Sequence, residues 1–372
     1  MTVDSVFGPV ADGSFPGIRD SSENALAAIV YWRVFNSADR TFDADKADLF
    51  LVPVLPLPKS WRFWGHPCEQ KFHGKAKDFL RELVHLNAST VHKHVFVTGF
   101  RWDWVRGQCF PRVWTSDKRY EEALRLLRSV PFVSPGIHFH EWQRTRFPLL
   151  PDDVDPVRFF NRFLCNHGKK KHPQFDRLCE GPIFTWPFPS NMHWSQALVK
   201  RGAERPWLQE GNVSRDILLS QIGGLQHGDI PARSRLQSWC DEYENQSALL
   251  SSTQVLSTLL LCVPYNGAKH AAEIKRRSIF CIEPMGDCPG RKSILDDYSL
   301  GCIPVLVGIT GAFMYPEMYD DWHESAFVVI NRSEFVNGSI DPVRLLQTLT
   351  PKKITHLQSM IALHANRFFY NE

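Results

Sequence analysis

Two basic residues and one acidic residue are spaced so that they could bind a nucleotide diphosphate. Arg291 and Lys292 follow the turn 284–290, which contains two prolines and two glycines. Such a turn can point backbone N–H groups outward, and the positive end of a helix that begins there attracts phosphate. Asp296 follows Lys292 by one helical turn, so its carboxylate could accept hydrogen bonds from the two hydroxyls of a ribose. The pattern predicts diphosphate binding by cations and backbone amides, without a metal ion.

A strand, a helix and a second strand must position these side chains. The apolar runs 278–282 and 303–307 are typical of buried strands, and 291–300 has the apolar spacing of a short helix between them. Parallel strands bind ligands beyond their carboxyl ends, where the turn 284–290 would lie. Because glycine turns before helices are common, an ordinary strand–turn–helix–strand unit with a surface Lys–Asp pair is the alternative.

The same residues carry a resemblance to a known family. The stretch resembles the signature of the exostosin-like glycosyltransferases, glycosyltransferase family 47, which reads roughly S-x-F-C-L-x-P-x-G-D, a short turn, R-R/K-S-x-x-D and then G-C-I-P-V. The matching residues are Ser278, Phe280, Cys281, Pro284, Gly286, Asp287, Arg291, Lys292, Ser293, Asp296, Gly301, Cys302, Ile303, Pro304 and Val305. Weaker similarity extends over residues 40–340, through 47–53, 215–224 and 314–335. The chain departs from the signature at Ile282 and Glu283, where the family usually has Leu and Gln.

The resemblance implies a fold and a reaction. The family has the α/β fold called GT-B, in which two doubly wound Rossmann-like domains face a cleft and the second domain binds the sugar nucleotide. The implied reaction is transfer of a sugar from a UDP-sugar to a glycan or glycoprotein acceptor, with inversion and without a metal or other cofactor. The expected donor-binding residues are Arg215, Gly223, Arg233, Ser278, Glu283, Gly286, Asp287, Gly290, Arg291, Lys292 and Asp296. The alternative is a catalytically silent relative that acts as a glycan-binding module or partner subunit.

A base that deprotonates the acceptor hydroxyl is expected from the first domain. Asp103, between two tryptophans, is the nearest likeness to an H-D-W-G motif that the family often carries, although it is displaced by two residues. His138 and Glu141, at the end of a predicted strand, are the rival candidates for the same function. The sequence does not decide between them.

Three groups of residues could instead bind a metal ion. His138, His140 and Glu141 could be zinc ligands, but no further ligand with suitable spacing is visible. The D-x-D sequence 43–45 and the adjacent acids 296–297 are the other candidates. Because cations already occupy the turn where a metal would be needed, we expect no metal at the donor site.

Strands and helices alternate along the chain in two series, which predicts two parallel-sheet domains. The first series has strands predicted over 46–55, 94–98 and 130–139, with helices over 24–35, 75–86 and 119–128. The second has strands over 217–222, 278–282, 303–307 and 326–330, with helices over 232–243, 291–300 and 341–349. The predicted domains are a tail at 1–21, an acceptor-side domain at 22–195, a linker at 196–214, a nucleotide-sugar-binding domain at 215–350 and a closing helix at 351–372.

Composition limits the partners. With 372 residues and 43% hydrophobic content, the chain can bury two cores, and its net charge of +3 is too small to indicate nucleic acid. No run reaches the roughly 18 apolar residues that a membrane span needs, and residues 1–20 lack a signal-peptide pattern. The expected partners are therefore a nucleotide-sugar donor and a glycan acceptor, and an oligomer is left open.

Sequons and cysteines favour the secretory pathway, whereas the lack of a signal-peptide pattern in residues 1–20 favours the cytoplasm. Asn-x-Ser sequons occur at Asn87, Asn212, Asn245, Asn331 and Asn337, and nine cysteines are compatible with some disulfides and at least one free thiol. The resemblance implies a type II membrane protein of the Golgi lumen. We therefore expect that the anchor is not part of this sequence, while a soluble cytoplasmic protein is the alternative.

Overall fold

The computed structural model describes residues 19, 25–54, 83–98, 132–134, 183–193, 198, 200, 205–208, 214–223, 229–249, 259–286, 290–308 and 325–368. The chain divides into two compact units. One consists of Met1–Glu23, Phe139–Asp153 and Pro187–Glu372, and the other consists of Asn24–His138 and Val154–Trp186. Because the division falls after residue 186, the segment from Pro187 belongs with the second series of strands and not with the first domain.

The first sheet has four parallel strands. They are β1 (Phe50–Val54), β2 (His94–Thr98), β3 (Phe132–Ser134) and β4 (Ile183–Thr185), in the order β1-β2-β3-β4. Helix α1 (Leu26–Phe35) packs on β1 and β2. It does so because Leu26, Ala27 and Ile29 form a buried apolar stripe on one side of the helix.

The second sheet has five parallel strands. They are β5 (Ile217–Ile222), β6 (Leu260–Val263), β7 (Ser278–Glu283), β8 (Ile303–Val307) and β9 (Val328–Ile330), in the order β6-β5-β7-β8-β9. The chain moves from β5 to β6 on one side and then to β7 on the other side of β5. The strand order therefore reverses between β5 and β7, and doubly wound sheets usually bind ligands beyond the carboxyl ends of the two strands at such a point.

Helices connect and follow these strands. They are α2 (Ile230–Leu249), α3 (Gly267–Arg277), α4 (Lys292–Leu300), α5 (Arg332–Val336), α6 (Pro342–Gln347) and α7 (Pro351–His364), with a 3₁₀ turn at Ala365–Phe368. Side chains cap three of the helix starts: Asn331, Asp341 and Thr350 accept hydrogen bonds from backbone N–H groups of the first turn. Helix α4 ends at Gly301, whose φ of 69° requires the left-handed conformation that glycine adopts readily.

The core of this unit lies between the sheet and helix α4. Phe280 on β7, Leu295 on α4 and Ile303 on β8 are completely buried. The ring of Tyr298 stacks on that of Phe368, with centroids 5.3 Å apart, so the 3₁₀ turn Ala365–Phe368 covers α4. The helix that carries the predicted diphosphate residues is therefore fixed on both sides by packing.

Two disulfides cross-link the same unit. Cys240–Cys262 joins α2 to β6, and Cys281–Cys302 joins β7 to the residue that precedes β8. The prediction that some of the nine cysteines form disulfides is thus confirmed. In the part of the chain that the structure describes, no helix is long and apolar enough to cross a membrane.

The predicted α/β class with two Rossmann-like parallel sheets, as in a GT-B fold, is confirmed. The strands predicted over 94–98, 217–222 and 303–307 coincide with β2, β5 and β8. The predictions missed β4, β6, α3 and α5. Helix α3 was missed because its buried face consists largely of alanines, which give little hydrophobic contrast. The helix predicted over 119–128 and most of the one over 75–86 lie outside the described residues.

Candidate functional site

Arg291 lies where the strand order reverses. It is the N-cap residue of α4, and its aliphatic part packs on Gly286, where an added Cβ would lie 3.1 Å from its Cγ and Cδ. A Cβ added to Gly223, the residue after β5, would lie 3.7 Å from its Nη2. Its Nη1 donates to the carbonyl of Pro284 at 2.9 Å. The guanidinium therefore spans the carboxyl ends of β5 and β7 at a helix N-terminus, a position that favours an anion.

Glu283, the last residue of β7, orients this guanidinium. Its Oε2 accepts a hydrogen bond from Nη1 of Arg291 at 2.8 Å, and its Oε1 accepts from Oγ of Ser293 at 2.5 Å. Burial disfavours the charged carboxylate, but the charges of Arg291 and Lys275 outweigh burial and lower the pKa of Glu283. Glu283, which the sequence predicted as a donor ligand, has a side chain only 3% exposed and forms an ion pair with Arg291.

Lys275 joins Arg291, Glu283 and Ser293 in a polar cluster and extends it into the core. Its Nζ donates to Oε1 of Glu283 at 3.3 Å, to Oγ of Ser293 at 2.9 Å and to Oδ1 of Asp297. Burial alone would lower the pKa of Lys275, but the charges of Asp297 and Glu283 raise it. Burial raises the pKa of Asp297 well above the ordinary value, because its carboxylate is completely enclosed and Oδ2 has no hydrogen-bond partner.

Asn191 binds both Lys292, which the sequence predicted to contact a phosphate, and Asp296, which it predicted to contact a ribose. Its backbone N–H donates to Oδ1 of Asp296 at 2.7 Å, and its Nδ2 donates to Oδ2 at 3.0 Å. Its Oδ1 accepts from Nζ of Lys292 at 2.6 Å. Burial raises the pKa of Asp296 more than the charge of Lys292 lowers it. The carboxylate predicted to face a ribose thus binds Asn191 in the segment 187–193.

A second cluster fixes the turn after β7. Arg233, in the first turn of α2, donates from Nε to the carbonyl of Met285 at 3.1 Å, and the backbone N–H of Asp229 donates to the same oxygen at 3.1 Å. Asp229 forms an ion pair with Arg332, the first residue of α5. Arg233 therefore lies at the predicted edge of the sheet, but its guanidinium binds the backbone of this turn.

Arg215 and Ser278 lie at the opposite edge of the sheet. Arg215 donates from Nη1 to the carbonyl of Ser278 at 2.5 Å and from Nη2 to that of Leu300 at 2.8 Å. Burial lowers the pKa of Arg215 to about 10. Ser278, at the amino end of β7, donates from Oγ to the carbonyl of Ile274 at 2.8 Å. Both predicted donor ligands thus bind backbone carbonyls at the amino edge of the sheet, whereas parallel sheets usually bind ligands at their carboxyl edge.

The remaining predicted site residues divide into two groups. Gly223, Gly286 and Gly290 lie next to or within the turn that carries Arg291, and Gly290 is buried. Asp287 and the three candidate bases Asp103, His138 and Glu141 lie outside the described residues. The sequence reasoning missed Lys275 and Asn191. The two prolines shortly before Asn191, at 187 and 189, are a sequence feature that could have indicated a fixed segment.

Two groups of possible metal ligands have other partners. Among the described residues, Cys281, Asp297 and Cys302 are the one group whose ligand atoms are close enough for a shared ion, but the two cysteines form a disulfide. In the D-x-D sequence, Asp43 accepts a hydrogen bond from the backbone N–H of Asp45 and pairs with Lys46. Both groups therefore have structural functions in this protein.

Comparison with known proteins gives relatives of one kind. No family model matches the chain. Over 149 residues the chain is 29% identical to the xyloglucan-specific galacturonosyltransferase 1 of Arabidopsis thaliana, a match that covers 40% of this chain and 21% of that protein. Over 97 residues it is 30% identical to the xyloglucan galactosyltransferase XLT2 of the same plant, covering 26% and 19%. The match thus spans about a fifth of the length of these relatives.

Solved glycosyltransferase structures show low similarity to the chain. The pneumococcal O-GlcNAc transferase GtfA, in complex with UDP and GlcNAc, is 9% identical over 79% of this chain and 56% of that chain, with a TM-score of 0.37. The sucrose-phosphate synthase of Thermosynechococcus elongatus is 9% identical over 81% and 75%, with a TM-score of 0.36. The sequence relatives are plant xyloglucan glycosyltransferases, and together with the signature around Arg291 they support the resemblance to the exostosin-like glycosyltransferases of family 47.

Proposed function

We propose that the chain is a glycosyltransferase that moves a sugar from a UDP-sugar to a glycan acceptor. The observation that carries this proposal is the guanidinium of Arg291, which lies at the reversal point between β5 and β7 and at the N-terminus of α4. The xyloglucan glycosyltransferases that the chain resembles support glycosyl transfer as the class of reaction. The fold alone would not support it, because one fold can carry many different activities.

Arg291 and helix α4 would act on the leaving group. As the bond between the anomeric carbon and the diphosphate breaks, negative charge accumulates on the diphosphate oxygens. A fixed guanidinium and the positive end of α4 can stabilise that charge, with the ammonium of Lys292 beside them. Because these groups are held in place before the reaction, they need little reorganisation when the charge appears. The proposal requires no metal ion.

The acceptor hydroxyl would attack the anomeric carbon from the face opposite the diphosphate, which gives inversion. The new bond joins the acceptor oxygen to the anomeric carbon, and the hydroxyl proton passes to a base. Asp103, His138 and Glu141 remain the candidates for that base. The relatives suggest a xyloglucan-type acceptor and a galactosyl or galacturonosyl donor as the first substrates to try.

The disulfides bear on where the enzyme would work. Cys240–Cys262 and Cys281–Cys302 favour an oxidising compartment, since reducing conditions in the cytosol keep thiols reduced. This supports a location in the secretory pathway, for which the Golgi lumen is the proposal that the family resemblance favours.

Release of UDP from a panel of UDP-sugars, with and without xyloglucan oligosaccharides, tests the proposed activity. We expect one donor to be consumed faster with acceptor present, and Arg291→Ala to lower that rate by about 100-fold or more. Arg277→Ala is the matched control, because Arg277 forms an exposed ion pair with Asp216 and lies at the amino edge of the sheet. UDP binding without turnover of any donor would favour the catalytically silent relative, and absence of UDP binding would contradict the proposed activity.

A further inference from the structure

We infer that Lys275 is a positioning residue for the diphosphate-binding guanidinium of Arg291, acting through Glu283. The inference rests on the proposed function, since it assigns a buried residue to that same site. Lys275 is 3% exposed and lies in the last turn of α3. The signature around Arg291 does not include it, and its own position in the sequence gives no indication of a site.

Lys275 cannot itself be a ligand for the donor. Its ammonium has three protons, and its Nζ already has four acceptors on Glu283, Ser293 and Asp297. Burial of an ammonium costs several kcal/mol even after relaxation, so a position that only filled the core would be occupied more stably by an apolar side chain. The charge therefore acts on the acidic groups around it.

Lys275 binds one carboxylate oxygen of Glu283 and leaves the other oxygen for Arg291. Lys275 and Ser293 both donate to Oε1 of Glu283, which leaves Oε2 for Nη1 of Arg291. An unrestrained Arg–Glu pair is frequently bidentate, with two parallel hydrogen bonds. Here the pair is monodentate. Among the described residues, Nε and Nη2 of Arg291 have no hydrogen-bond acceptor, and Nη2 faces Gly223 at the end of β5.

The charges of Lys275, Glu283 and Arg291 also indicate that Lys275 acts on Arg291 through Glu283. Lys275 and Arg291 are two cations, and Glu283 is an ionised carboxylate between them. Lys275 and Arg291 therefore share the negative charge of Glu283, so that Glu283 does not fully neutralise Arg291. Without Lys275, Glu283 would neutralise Arg291 alone and the attraction for an anion would weaken.

A double-mutant cycle on UDP affinity tests the inference. We expect Lys275→Met to weaken UDP binding about tenfold in the wild-type background and to have no further effect in the Arg291→Ala background, because its influence passes through Arg291. Ser293→Ala, a milder change on the same oxygen of Glu283, should weaken binding about threefold and should likewise have no effect without Arg291. Lys269→Met on the exposed side of α3 is the control and should leave affinity unchanged.

The outcomes separate positioning from general stabilisation. If Lys275 only stabilised the fold, its replacement would lower affinity by the same factor in both backgrounds, and that result overturns the inference. An unchanged affinity in Lys275→Met or Ser293→Ala overturns it too. If Lys275→Met does not fold, Ser293→Ala alone decides through the same cycle. Absence of UDP binding by the wild type overturns the proposed function and this inference with it, whereas binding with additive effects overturns only the inference.

Discussion

Asn191 holds Asp296 by both carboxylate oxygens, through its backbone N–H at 2.7 Å and its side-chain amide at 3.0 Å. Because the same side chain accepts from Lys292, a residue that lies 105 positions before Asp296 connects Lys292 and Asp296 of α4. The first turn of α4 is thus fixed from two directions: Lys292 by Asn191, and Arg291 by Glu283.

Replacing Asn191 should therefore destabilise the protein although the residue is polar. Asn191→Leu leaves a buried carboxylate without its side-chain donor, and we expect a loss of about 1–3 kcal/mol in the free energy of unfolding. Asn36→Ala is the control, because the amide of Asn36 donates to the carbonyl of Trp32 at an exposed helix end. Urea unfolding of both variants measures the difference. Equal, small losses would contradict the buried connection.

Gly301 should tolerate alanine less well than Gly338. Both have a positive φ, 69° and 80°, so both replacements carry the same kind of backbone strain. A Cβ on Gly301 would also lie 2.6 Å from Nη2 of Arg215, whereas the nearest atom to a Cβ on Gly338 is 3.7 Å away. We expect Gly338→Ala to cost about 1 kcal/mol and Gly301→Ala clearly more, because Arg215 must also give up a hydrogen bond. Denaturant midpoints compare the two, and equal midpoints would show that Arg215 is free to move.

The two disulfides should have similar effects on stability and different effects on ligand binding. They close loops of almost equal length, with sequence separations of 22 and 21 residues, so replacing either pair by alanine should cost about 3 kcal/mol. Cys281 lies two residues before Glu283, whereas Cys240 and Cys262 join α2 to β6. UDP titration should therefore show weaker binding only for Cys281→Ala/Cys302→Ala. Equal binding by both double variants would indicate that the β7–β8 link does not support the site.

The sequence predicted the parts of the fold in which local pattern and tertiary structure agree. Strand β8 is a continuous apolar run, and the positions of Arg291 and Lys292 at a helix start follow from the turn before them. Helix α3 could not be predicted in this way, because the residues it buries include small alanines and Lys275. A buried lysine looks the same as a surface lysine until its partners on other elements are known.

The candidate site shows the same limit more sharply. Arg215, Arg233 and Arg291 are all arginines beside the predicted sheet, and the sequence assigned all three to the donor. Only Arg291 has its guanidinium across the carboxyl ends of β5 and β7, because Arg215 precedes β5 and Arg233 binds the carbonyl of Met285. Which edge a side chain reaches depends on the helix that precedes or follows each strand. The motif spacing does not contain that information.

The pH dependence of stability should reveal the buried proton on Asp297. Burial raises the pKa of Asp297 in the folded state above its ordinary value of 3.8. Between pH 3.8 and the folded-state pKa, the folded state therefore binds more protons than the unfolded state. The stabilising contribution is complete below pH 3.8 and is lost as pH rises through the folded-state pKa, with a slope of at most about 1.4 kcal/mol per pH unit. Asp297→Asn removes the titrating group while keeping its size.

The measurement is the free energy of unfolding of wild type and Asp297→Asn from pH 4 upward in steps. We expect the wild type to lose stability relative to the variant as pH rises, and Asp241→Asn, which replaces an exposed carboxylate on α2, to give a curve parallel to the wild type. Asp296 has a raised pKa of the same sign, but it is present in all three proteins and cancels in the difference. A difference curve that is flat, or that rises with pH, would mean that Asp297 is ionised beside Lys275 over this pH range.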